Sequence, residues 1–130
     1  MIAHRHLQRA VLLILCMAFC VACSSNTATA QNRTKAGEGL FNRWCIGCHA
    51  VAPGGAAKVG PNLMDVATMA ATNPQGLTPE TFLRESIVNP NAYILPGYMP
   101  YTMPMSYQQQ LGPEQIEALV AYMLTLKNQP

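Results

Sequence analysis

At 130 residues the chain can hold one domain and little more. Half of it is hydrophobic and only 11% is charged, with a formal net charge of +2. It has no basic run, which argues against a nucleic-acid-binding protein. The excess charge comes from Arg5 and Arg9. From Arg33 onward the six lysines and arginines meet six acids, so that part is neutral and gives little electrostatic steering toward a partner.

In chain order, His4, Arg5, His6 and Arg9 precede an apolar run from Ala10 to Val21. A basic start followed by a short apolar stretch is the pattern of an export signal, expected here over 1–22. The run is shorter than the about 20 residues that cross a bilayer comfortably. Val21-Ala22-Cys23-Ser24 resembles the bacterial lipoprotein box, which implies a lipid anchor on Cys23 and a membrane-tethered protein on the extracytoplasmic or periplasmic face. An ordinary signal cut near Ala22 or Ala30 is the alternative. Residues 23–33, rich in Ser, Thr, Asn, Ala and Gln, are expected to form a flexible tether. The domain then occupies 34–130.

Thr34 is a candidate N-cap for a first helix reaching about Cys45, with Ala36, Leu40, Phe41 and Trp44 on its apolar face. A Gly/Ala-rich loop follows, then a helical turn after Asn62. Thr78-Pro79-Glu80 places a cap, a proline at the first helical position and an acid in the first turn. The helix it opens carries Phe82, Leu83, Ile87 and Val88 and stops before Pro90. From Asn89 to Gln110 the prolines 90, 96, 100 and 104 exclude a helix, and the stretch holds Met99, Met103 and Met105. A loop this long inside a small domain is usually functional or disordered. A last helix starts at Gly112-Pro113-Glu114 and runs to about Lys127, with Ile116, Leu119, Val120 and Met123 on one face. No segment has a strand pattern, so the class is all-α: three to five short helices.

The chemistry concentrates in Cys45-Ile46-Gly47-Cys48-His49. C-x-x-C-H is the attachment motif of c-type haem. Two thiols at this spacing reach the two vinyl groups of one porphyrin, and the next residue, His49, falls under the iron as an axial ligand. A thioredoxin-like pair needs a βαβ context that is missing. A four-ligand zinc site needs further Cys or His, and none follows His49. With His4 and His6 in the expected signal, no second histidine remains for a bis-histidine iron. A methionine thioether is the natural sixth ligand and raises the potential, which leaves Met99, Met103 and Met105 as candidates.

From Gly37 to Leu126 the chain resembles the class I c-type cytochromes. The resemblance rests on Gly37 and Phe41 before the motif, Gly60-Pro61-Asn62-Leu63 after it and Ala118 to Met123 near the end. It implies the cytochrome c fold around one covalent haem. Gly37 would let the last helix cross the first closely, with Phe41, Leu119 and Tyr122 at the contact. The Pro61 carbonyl would accept the His49 Nδ1–H, and Leu63 would pack on the porphyrin. A narrower resemblance, carried by Leu83 to Ala92, Gly97-Tyr98, Met103-Pro104 and Leu111 to Glu114, is to the cytochrome c domain fused to subunit II of some haem–copper oxidases. It implies Met103 as the sixth ligand. Met99, in a second Met-Pro pair, is the alternative.

The function expected is electron transfer, one electron at a time, in a respiratory chain. Its partners would be redox proteins such as an oxidase or dehydrogenase complex, with no nucleic acid, no small-molecule substrate and no turnover of its own. A haem subunit fixed within such a complex is one alternative, and an open-site haem enzyme or sensor another. Trp44, Lys58, Arg84 and the loop tyrosines 93, 98, 101 and 107 are lesser candidates for haem-edge or propionate contacts.

Overall fold

The computed structural model describes residues 27–127, so Cys23 and the expected signal lie outside the described residues. The chain divides into two units after Asn32. Of the first unit, the described residues 27–32 are helical. Residues 27–33, expected as an irregular tether, are therefore helical, and Thr34 is a helical residue rather than a cap. Two alanines and a glutamine, all strong helix formers, stand in this stretch among the polar residues that had indicated a tether.

The second unit begins with helix α1, residues 33–44. Three more α-helices and one single turn follow: α2 (Val66–Ala71), α3 (Pro79–Val88), α4 (Tyr107–Gln110) and α5 (Pro113–Met123). No strand occurs among the described residues. The inward face of α1 is Gly37, Leu40, Phe41 and Trp44, while Ala36 is exposed. Gly37 takes the inward place because α5 lies directly against it. A Cβ there would stand 1.9 Å from the Ala118 carbonyl oxygen and 2.9 Å from Tyr122 Cβ. Phe41, fully buried, then meets the Tyr122 ring with centroids 5.4 Å apart. A side chain larger than hydrogen at 37 would keep these helices from closing.

Helix α3 starts where its signals lie. Thr78 Oγ1 accepts the Thr81 N–H at 3.3 Å, and Pro79 sits at the first helical position. Phe82, Leu83 and Ile87 go into the core. Helix α5 opens on Gly112, whose N–H is accepted by the Gln115 side-chain oxygen at 2.9 Å. It buries Ile116, Leu119, Val120 and Met123, and ends at Met123 rather than Lys127. An exposed bidentate pair, Arg84 to Glu117, links α3 to α5 at 2.6 and 2.9 Å. Helix α4 falls inside the stretch read as excluding helix. After Pro104 no proline intervenes before Pro113, so one turn forms on Tyr107 and three glutamines.

Candidate functional site

The C-x-x-C-H segment forms a tight turn beyond the end of α1. The Cys45 carbonyl accepts the N–H groups of both Cys48 and His49, at 3.0 and 2.9 Å. The turn brings Cys45, Cys48 and His49 to the wall of one open, largely apolar cleft. Pro61 and Leu63 line the same cleft, with Leu63 buried. Phe82 and Ile87 of α3 and Met123 of α5 extend its apolar wall. The cleft holds about 1090 Å³ of empty space, part of it open to solvent. An apolar cleft that opens to solvent along one side suits a flat macrocycle with one edge at the surface.

His49 is fixed from behind. Its Nδ1–H donates to the Pro61 carbonyl oxygen at 2.9 Å. Gly60 packs flat on the ring, where a Cβ would come within 2.4 Å of Cε1. Burial, the largest influence, holds the imidazole below its usual pKa; the Pro61 bond opposes this and nearby Lys58 adds to it. The ring is therefore neutral at neutral pH. With its proton on Nδ1, the Nε2 lone pair is free for a metal.

The two thiols are unpaired. Burial, with the neighbouring Cys48 second, pushes the Cys45 thiol up to about 11. Dithiol redox sites work through a lowered pKa, so this pair is poorly suited to thiol–disulfide exchange. No three His, Cys, Asp or Glu cluster as a metal site among the described residues. A haem would bring most of its iron's ligands with it, so the protein would need to add only groups such as the His49 imidazole. The two thiols at the cleft wall, the neutral, oriented imidazole and the wide apolar cleft fit a covalently attached haem.

The three methionines separate clearly. Met103 is partly buried and lines the cleft. Met99 also borders it but is 76% exposed. Met105 is 49% exposed, does not line the cleft, and its sulfur accepts from Asn91 Nδ2 at 3.2 Å.

Among the lesser candidates, Lys58 Nζ donates to the Ile46 carbonyl at 2.7 Å, and Arg84 pairs with Glu117 away from the cleft. Trp44 and Tyr107 pack edge to face, and the Tyr107 hydroxyl donates to the Trp44 carbonyl at 3.2 Å. This contact ties the methionine side of the cleft to the motif side. Two residues escaped the sequence reading. Asn62 donates to the Ala52 and Gly55 carbonyls at 2.8 and 2.9 Å and accepts the Met64 N–H at 3.0 Å, clamping the loop that carries Pro61. Asn91 does similar work in the methionine loop. The only local signal for either was an asparagine beside a proline, a common turn pattern.

The cytochrome c family profile matches residues 34–127. The chain belongs to the cytochrome c family. It is also 32% identical over 124 residues to cytochrome c2 of Rhodospirillum rubrum, covering 82% of this chain and 90% of that protein. Membership makes the cofactor one covalently attached haem c and the protein an electron carrier rather than an enzyme.

Proposed function

We propose that this cytochrome is a His/Met-ligated one-electron carrier of a respiratory chain. In this reading Cys45 and Cys48 carry the haem thioethers, and His49 and Met103 bind the iron. The observation that carries it is the presence, on one apolar cleft, of a neutral imidazole locked by Pro61 and of Met103, the one methionine of the proline-rich loop that is partly buried there. The haem supplies a one-electron iron couple. The protein's part is to exclude water with Leu63, Phe82 and Ile87, keep His49 oriented, and present a thioether that favours the reduced state. With His49 and Met103 both holding the iron, the haem would keep no open position for a substrate.

Electrons would cross at an apolar rim. Val59, Met99 and Tyr101 border the cleft and are 59%, 76% and 79% exposed. A neutral domain with such a rim suits a small, transient contact with a redox partner. The resemblance of residues 83–114 to the haem domain of oxidase subunit II supports a terminal oxidase or a similar complex as that partner. The basic and apolar start of the chain supports export, and the box ending at Cys23 supports a lipid tether. No helix among the described residues is long and apolar enough to cross a membrane.

The test is a redox titration of the holoprotein with carbon monoxide exposure. One electron per chain and a ferrous form that does not take up carbon monoxide are expected. Ready carbon monoxide uptake would replace the carrier with an open-site haem protein.

A further inference from the structure

One side chain reaches both flanks of Met103. Asn91 Oδ1 accepts the backbone N–H of Tyr101 at 2.7 Å. Its Nδ2 donates to Met105 Sδ at 3.2 Å. A single amide thus ties the residue two before Met103 and the residue two after it to the end of α3, where Pro90 is buried.

The backbone at Tyr101 needs such a hold. Its φ is +60°, the left-handed region that non-glycine residues avoid. The Tyr101 side chain is 79% exposed, so its packing does little to fix that conformation. Thr102 Oγ1 donates to the Met99 carbonyl at 3.0 Å and tightens the turn, while Asn91 anchors it to the domain. The second bond occupies the Met105 sulfur. Of the three thioethers, one is spent on an amide, one is mostly in solvent, and Met103 is left partly buried at the cleft.

We propose that Asn91 is a positioning residue, holding the methionine loop closed over the haem and selecting Met103 by tying Met105 back. The proposal rests on the reading of Met103 as the sulfur ligand. Asn91 acts through the loop and need not touch the iron.

The test is titration of the ferric holoprotein with imidazole. Imidazole binds only when the methionine has left, so its apparent affinity scales with the open fraction of the loop. Losing two hydrogen bonds should raise that fraction, and the affinity, about ten- to thirtyfold in Asn91→Ala. Asn91→Asp still accepts from Tyr101 but cannot donate to Met105, and should fall between the two. Thr78→Ala, which weakens the α3 cap on the far side of that helix, should leave imidazole affinity at the wild-type value. An Asn91→Ala protein within twofold of wild type overturns the proposal, as does an equal rise in Thr78→Ala. If Asn91→Ala does not load haem, Met105→Leu removes the Nδ2 bond from its other end and should raise the affinity about three- to fivefold, and no rise there overturns the proposal. Met103→Ala separates the two readings. If its imidazole affinity equals wild type, Met103 is not the displaced ligand, and it is the ligand reading that fails.

Discussion

Gly37→Ala measures the helix crossing on which the haem-bearing turn depends. The added Cβ would stand 1.9 Å from the Ala118 carbonyl oxygen and 2.5 Å from its carbon. Both are backbone atoms of α5, so no side-chain rotation relieves the clash. The helices must part by roughly 1 Å or more, taking apart the contact of Phe41 with Tyr122. Overpacking of this kind costs about 1–3 kcal/mol, and a backbone clash belongs at or above the upper end. Replacing a helical glycine with alanine returns about 1 kcal/mol of propensity. The net loss is about 2 kcal/mol or more, a fall in melting temperature of roughly 8–16 °C for a domain of this size. Gly39, two residues on, is the control, because nothing lies within 4 Å of its Cβ position. Gly39→Ala should gain up to about 1 kcal/mol and melt higher by several degrees. Thermal unfolding of the two holoproteins, followed by circular dichroism, decides the matter. If both substitutions move the melting temperature in the same direction by the same amount, the crossing is not as close as described.

Two further outcomes are expected. Gly60→Ala puts a Cβ within 2.4 Å of the His49 ring, which can yield only by tilting away from the Pro61 carbonyl. It should lower the yield of haem-loaded protein and shift the potential, whereas an unchanged potential and yield would mean that the ring has room to spare. Glu117→Gln removes the bidentate partner of Arg84, whose hydrogen bond holds the Glu117 carboxyl below its usual pKa. A depressed carboxylate pKa stabilises the fold above the unfolded value, and that stability is lost as pH falls through the folded one. Both side chains are about two-fifths exposed, so solvent screening limits the contribution to ~0.5 kcal/mol at pH 7. The gap between variant and wild type in urea unfolding should shrink as the solution is acidified below the carboxylate range; a gap that widens there would reverse the assigned sign.

Much of the site was legible because its chemistry is written in adjacent residues. Cys45, Cys48 and His49 need only a turn to share a wall. Thr78-Pro79-Glu80 marks its helix by local capping alone, and α3 starts there. Gly37 was harder, since a glycine inside a helix makes sense only with the partner helix in view. What the sequence hid depends on contacts between distant residues. The Asn91 amide meets residues 10 and 14 positions away, and Asn62 reaches back 10 to the Ala52 carbonyl. Nothing local distinguishes such asparagines from ordinary turn residues. The polar residues of 27–33 point to a linker although the segment is helical, and the proline density of the loop as a whole masks the proline-free run after Pro104 in which α4 forms.

The proposed carrier depends on His49 and Met103 holding the iron together. The most direct test is the near-infrared absorption of the ferric holoprotein, where a methionine sulfur bound to iron(III) gives a weak band. The band should be present in wild type, persist in Met99→Ala and Met105→Ala, and vanish in Met103→Ala. A wild-type protein without it, or a band that survives Met103→Ala, would contradict the assignment.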